Sequence, residues 1–240
     1  MSDGTSSDSL VLSEPADSGI LRVFFAIELD ERARSAASRS ARGLQDAPNG
    51  HAVRWVRAES FHVTLRFIGD VERVRIRALS DCVRVQTAAL RPFRLELGGV
   101  RPFPSRHRPG FMVLDVGPVE QLEELAEAVE RGVEMAGFAP ELRPFRPHLT
   151  LGRIRGKKFP AVTGNVTVVG EGCVVSDAVL FKSDLHPSGA QYTPIERVPI
   201  GGLPDGPRAS STSSKEKDLR RDEPGRDEPG RDEPGRDEPG

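Results

Sequence analysis

The chain of 240 residues predicts an α+β domain with two lobes, and three observations carry that prediction. Segments patterned as strands and helices alternate through its middle, and each half holds an amphipathic helix. Each half also holds one copy of a four-residue pattern, His62-Val63-Thr64-Leu65 and His148-Leu149-Thr150-Leu151, set 86 positions apart. A pattern repeated at that distance, each time in a strand, points to internal duplication with one copy per lobe.

Arg22 to Leu29 reads as a buried first strand, with Asp30 placed to cap the helix that follows. Ala33, Ala36, Ala37, Ala41 and Leu44 recur there at helical spacing. Val53 to Arg57 and Phe61 to Phe67 predict two strands around a short turn, and Gly69-Asp70 is expected to end the second and open a helix through about Ala89. Beyond Arg91-Pro92, short strands are expected at Arg94 to Leu97 and Phe111 to Val116, separated by a loop from Gly98 to Gly110 that is rich in Gly, Pro and Arg. Leu122, Leu125, Ala126, Val129 and Val133 form one helical face with acids crowding its first turns, and Gly137 stands where that helix should end. Proline punctuates the approach to His148, and later strands are expected at Ala178 to Ser183 and Tyr192 to Pro199.

The organisation is thus a flexible lead-in over residues 1–20, a bilobal domain over 21–200 and a tail over 201–240. The lead-in is rich in Ser and Asp and lacks the basic start and apolar run of a signal peptide. The tail ends in four copies of Arg-Asp-Glu-Pro-Gly, too polar to build a core. Net charge is −2 overall but +5 over residues 21–200, a surplus that permits a phosphate-bearing ligand. Cys82 and Cys173 are too few for a disulfide framework or a zinc cage, and no stretch approaches a membrane span, so a reduced cytoplasmic protein is expected.

Successive side chains on a strand point to opposite faces. Alternation therefore gives His62, Thr64 and Arg66 one face and Phe61, Val63, Leu65 and Phe67 the other, and it sets His148 and Thr150 opposite Leu149 and Leu151. The apolar sides anchor into a core. Two imidazoles and two hydroxyls are left to line a groove, a set suited to acid–base chemistry on a phosphate. No cluster of acids or histidines has metal-ligand spacing, so neither metal nor cofactor is expected.

These residues carry a resemblance. Arg22-Val23-Phe24-Phe25-Ala26-Ile27, Trp55-Val56, and the run from Phe61 through His62-Val63-Thr64-Leu65 to Val71 resemble the two-histidine (2H) phosphoesterase superfamily. So do Arg143-Pro144-Phe145-Arg146-Pro147-His148-Leu149-Thr150-Leu151-Gly152-Arg153, Leu180-Phe181-Lys182-Ser183 and Tyr192-Thr193-Pro194. Within the superfamily the chain is most similar to the RNA 2',3'-cyclic phosphodiesterases, also known as 2'-5' RNA ligases. The resemblance implies pseudo-symmetric lobes of mainly antiparallel sheet, helices on the outer faces and an active-site groove between the lobes. It implies His62 as proton donor, His148 as proton acceptor, and Thr64 and Thr150 as donors to the phosphate oxygens.

The expected reaction is metal-independent hydrolysis of an RNA 2',3'-cyclic phosphodiester end to a 2'-phosphomonoester. The alternatives are 2'-5' ligation or 2'-5' oligonucleotide cleavage at the same site, or RNA binding without turnover. RNA ends or small cyclic nucleotides are the expected partners of a monomer. Arg66 shares the histidine face by alternation and is a candidate phosphate ligand. Arg153 is a second candidate that strict alternation turns away, unless Gly152 permits a bulge. Tyr192 is the preferred platform for a base; Phe103 and Phe145 are weaker candidates, and Phe61 is rejected as core. His51, His107 and His186 are expected on the surface or in loops.

Overall fold

The computed structural model describes residues 19–156, 160, 170–186 and 189–202. The lead-in up to residue 18 and the repeat tail from residue 203 lie outside the described residues. Twelve elements follow in chain order: β1 (Ile20–Glu28), α1 (Glu31–Gln45), β2 (Val53–Trp55), β3 (His62–Glu72), α2 (Ile76–Thr87), β4 (Phe93–Phe103), β5 (Phe111–Gly117), α3 (Val119–Met135), β6 (Leu149–Ile154), β7 (Gly172–Val175), β8 (Asp177–His186) and β9 (Gly189–Pro199).

The helices follow their sequence signals. Asp30 caps α1 by accepting the Ala33 N–H at 2.8 Å. The alanine and leucine face of α1 is buried, as are the five apolar residues expected to face inward from α3. Gly137 takes φ of 85° just past α3, the left-handed conformation that ends a helix.

Nine strands form one sheet in the order β7-β4-β5-β6-β3-β1-β8-β9, with β2 paired to β6 beside that path. Every pairing is antiparallel. The sheet has a narrow waist, because β3 and β6 share a single register pair, Val63 opposite Leu149. On one side of the waist lie β3, β1, β8 and β9; on the other lie β6, β5, β4, β7 and β2. The lobes are therefore not the two halves of the chain, since the last two strands return to pair with β1. Each lobe still receives one histidine motif.

The two faces of the sheet differ. Val23, Phe25 and Ile27 of β1 join the main core, which includes the buried faces of all three helices. Phe24 and Ala26 point the other way and form a small second cluster with Val179 and Phe181. Helices cover the first face: α2 packs on α3 and reaches β9, α3 reaches β3 and β5, and α1 lies against β2, β4 and β7. The second face carries the histidines.

Two expected boundaries shift, both at bulges. β3 does not stop at Gly69-Asp70 but runs on to Glu72, with the helix delayed to Ile76. Phe24 opposes Phe67 and Val23 opposes Gly69, so Ile68 is an extra residue, and Gly69 absorbs the distortion with φ of 94°. Likewise β4 continues through the expected loop to Phe103. Its partner rows shift between Leu97 and Val100, so Gly98 and Gly99 together span the single residue Asp115. A glycine pair between strand-forming segments has the pattern of a turn, yet here it forms a bulge inside one continuous strand.

Candidate active site

The two motifs share a backbone irregularity as well as residues. In β3, Thr64 opposes Ala26 and Arg66 opposes Phe25, which leaves Leu65 as the extra residue. In β6, Thr150 opposes Val113 and Gly152 opposes Met112, which leaves Leu151 extra. The fourth residue of each motif is thus a bulge, and beyond each bulge the alternation of faces is reset.

This reset overturns the expected placement of Arg66. It pairs with Phe25 of the main core and turns to the helix side, where its guanidinium binds Glu130 of α3 and the carbonyl oxygens of Phe67 and Ala139. With its donors committed there, Arg66 is an anchor for the segment leading to His148, not a ligand for phosphate. Phe67 takes the place on the histidine face that alternation reserved for Arg66. It is 53% exposed, and its ring lies 5.2 Å from that of Phe24.

The same reset turns Arg153 toward the histidine face. It opposes Phe111, stands exposed, and holds its guanidinium 5.9 Å from the Phe111 ring. Gly152 makes room for β2: a Cβ there would lie 2.5 Å from Cγ1 of Val53.

The waist organises the four motif side chains. Val63 and Leu149 are wholly buried and point into the core, so His62, Thr64, His148 and Thr150 rise from the other face. In an antiparallel pair centred on Val63 and Leu149, His62 flanks Thr150 and Thr64 flanks His148. Each histidine therefore neighbours the threonine of the other motif.

Both imidazoles are oriented by a backbone carbonyl two residues earlier. Nδ1 of His62 lies 2.8 Å from the Ser60 oxygen and Nδ1 of His148 lies 2.7 Å from the Arg146 oxygen. A carbonyl only accepts, so each Nδ1 carries the hydrogen and each Nε2 is left to exchange a proton. Nε2 of His62 is 3.1 Å from Oγ1 of Thr64, which donates to it.

The surroundings of the two rings differ. His62 keeps an accessible edge but lies deep among aromatic rings, with Phe24 at 5.0 Å, Tyr192 edge-on at 5.0 Å and Phe181 at 6.3 Å. Burial lowers its pKa to about 4, against the opposing pull of the Ser60 carbonyl, and His148 lowers it further. His148 stacks on Phe103 at 4.4 Å with 20° between the planes. Its pKa is also lowered, first by burial; the Arg146 carbonyl opposes this, Arg101 adds to it and Asp115 counters it. Arg101 and Asp115 are themselves an ion pair, with Nε to Oδ1 at 2.5 Å.

Tyr192 thus stands beside His62. Phe61 is core, and Phe145 is partly buried against it. His51 and His107 are exposed, while His186 ends β8 rather than lying in a loop. Sequence reasoning missed Phe24, Phe181, Arg101 and Asp115. Alternation along β1 could have found Phe24, which shares a face with Ala26; the others depend on strand partners. Among the described residues no three His, Cys, Asp or Glu side chains cluster to hold a metal ion, and no helix is long and apolar enough to cross a membrane.

Residues 30–162 match the model of the 2'-5' RNA ligase superfamily. The chain is 33% identical over 181 residues to the RNA 2',3'-cyclic phosphodiesterase of Methanothermobacter thermautotrophicus, a match covering 73% of this chain and 97% of that one. Among solved structures, E. coli LigT in its apo form superposes with a TM-score of 0.62 at 28% identity, covering 76% of this chain and 98% of LigT. E. coli LigT complexed with 3'-AMP gives 0.62 at 25% identity, covering 76% and 99%.

Proposed function

Since the chain belongs to the 2'-5' RNA ligase superfamily, we propose that it hydrolyses RNA 2',3'-cyclic phosphodiester ends to 2'-phosphomonoesters within a catalytic unit spanning residues 21–200. The observation that carries this reading is the crossed arrangement at the waist, with two Nε2 atoms and two hydroxyls around one strand pair. A phosphate seated over Val63 and Leu149 has an imidazole on either side. Opening the ring requires a water to lose a proton as its oxygen attacks phosphorus, and the departing ribose 3'-oxygen to gain one. His148 takes the proton from water and His62 supplies the one to the leaving oxygen, while Thr64 and Thr150 donate to the non-bridging oxygens, where negative charge grows. Arg153 adds a cation at the edge of the groove, and Tyr192 offers the terminal base a face beside His62.

The donor role has a requirement that burial makes specific. With a pKa of about 4, His62 is neutral near pH 7 in the free protein. It must take up a proton as the substrate arrives, and the anionic phosphate placed against Nε2 supplies the favourable field for that uptake. The similarity to E. coli LigT complexed with 3'-AMP supports a substrate that presents a ribose phosphate.

The test incubates the protein with an RNA ending in a 2',3'-cyclic phosphate, with EDTA present, and identifies the phosphate isomer formed. Formation of the 2'-phosphate is expected, undiminished by chelation. Absence of turnover sinks the hydrolase reading, and loss of turnover on chelation sinks the metal-free mechanism. The family's description favours a second reading, 2'-5' joining, in which a 5'-hydroxyl replaces water as the nucleophile while base and acid keep their roles, and which is seen as a longer RNA when a 5'-hydroxyl acceptor is added.

A further inference from the structure

On the lobe of β3, β1 and β8 a cavity of about 390 Å³ adjoins the His62 ring cluster, lined by residues that include Arg22, Phe24, Phe67, Arg143 and Ser183. Phe24 is shared: its ring touches both His62 and Phe67. Nothing in the acid–base chemistry above uses the rest of this cavity.

We propose that this cavity is a subsite for the single-stranded RNA on the 5' side of the cyclic phosphate, so that the protein prefers a polynucleotide end over a cyclic mononucleotide. The proposal rests on the hydrolase reading for where the phosphate sits. Three features carry it. Phe67 is a large ring left 53% exposed on the histidine face, where packing alone gives no reason for it, and an exposed ring beside an RNA site stacks a base of any identity. Arg22 is exposed on the same face of β1 as Phe24, and among the described residues it makes no ion pair; its cross-strand neighbour Asp70 lies beyond salt-bridge reach. Arg143, by contrast, is neutralised by Glu141, which holds both of its bonded nitrogens and whose own pKa falls to about 2 through that hydrogen bonding. Among the described residues, the free cation of the cavity is therefore Arg22.

Position completes the argument. Ala26 opposes Thr64 at the phosphate site, and Arg22 stands four residues further along β1, roughly 13 Å away at strand rise. Phe67, opposite Phe24, lies between them. A terminal nucleotide at His62, a preceding base on Phe67 and its phosphate at Arg22 follow one another along that line. Ser183 adds a hydroxyl at the wall.

The experiment compares kcat/KM for an RNA pentamer ending in a 2',3'-cyclic phosphate with that for adenosine 2',3'-cyclic phosphate, in wild type, Arg22→Gln and Phe67→Leu. In parallel, a fluorescein-labelled pentamer ending in a 2'-phosphate is titrated by anisotropy. The wild type is expected to favour the pentamer by about tenfold or more, and each variant to cut that ratio by about five- to tenfold. Arg22→Gln should also flatten the salt dependence of pentamer binding by about one phosphate contact. Equal kcat/KM for both substrates in the wild type, or an unchanged ratio in both variants, overturns the subsite. Weaker pentamer binding by Arg22→Gln with no turnover by the wild type overturns the hydrolase reading and leaves the subsite standing.

Discussion

His62 and His148 share a motif, a bulge and a carbonyl two residues upstream, yet they occupy different surroundings. Three of the rings beside His62 are aromatic and none carries charge, whereas His148 has one ring beneath it and the Arg101–Asp115 pair alongside. The repeated residues set geometry: which nitrogen is free, and which face it presents. Burial and the upstream carbonyl act on the proton affinity of both, and the difference between them comes from neighbours that are not repeated, Phe24, Phe181 and Tyr192 on one side and Arg101 and Asp115 on the other. Duplication thus supplies two equivalent positions, and divergence around them lets an acid and a base work at one phosphate.

The sharpest way to break the comparison is to remove each imidazole. His62→Ala and His148→Ala are each expected to lower kcat by about 10³-fold, within the range for deleting a general acid or base. With a substrate carrying a good leaving group such as p-nitrophenol in place of the ribose oxygen, the acid becomes dispensable. His62→Ala should then recover most of its loss and His148→Ala should not. The opposite pattern exchanges the two roles.

The matched arginines beyond the bulges separate next. Arg66→Met leaves Glu130 in a partly enclosed site without its cation, and unfolding by urea should show a loss of about 3 kcal/mol. Arg153→Met removes an exposed side chain, so stability should stay within about 0.5 kcal/mol while KM rises. Equal stability of the two variants would contradict the resetting of faces by the bulges.

Acid titration tests the enclosure of His62. Its folded pKa, about 4, lies below its ordinary value of 6.5, so the folded protein binds fewer protons than the unfolded chain between those values. Stability is full above pH 6.5 and falls as the pH drops toward 4, by up to about 3 kcal/mol. His62→Gln removes this slope, and the difference between the two proteins isolates it from the carboxylates. A wild type and a variant with parallel profiles would show that His62 titrates normally.

Much of this was legible in the sequence, and the failures have a common cause. Periodicity located all three helices, and Asp30 and Gly137 marked helix ends because caps and left-handed glycines are local chemistry. The His-x-Thr repeat gave the two polar clusters for the same reason. Strict alternation failed after Leu65 and Leu151, because a bulge is decided by the register of two partner strands, and nothing in Leu-Arg-Phe announces the first. Arg66 was misplaced by that one residue, while Gly152 was enough of a hint for Arg153. The exchange of C-terminal strands into the first lobe, and the arrival of Arg101 and Asp115 beside His148, depend on pairing between distant segments.

The smallest expected effect concerns that last pair. Asp115 raises the proton affinity of His148 and Arg101 lowers it, with Arg101 the stronger of the two, so the pair opposes itself while both are charged. Asp115→Asn is close in shape but leaves Arg101 unopposed, which moves the pKa of His148 further down. A base with lower proton affinity stays deprotonated to lower pH, so the acidic limb of the kcat/KM profile should shift to lower pH while the rate at neutrality falls with basicity. His62 lies outside this pair, enclosed by rings and coupled to it only through His148, so its titration, followed by imidazole NMR, should move far less than that of His148. Equal displacement of both histidines would mean that the two sites share one field, and that the neighbours of each motif do not set its proton affinity independently.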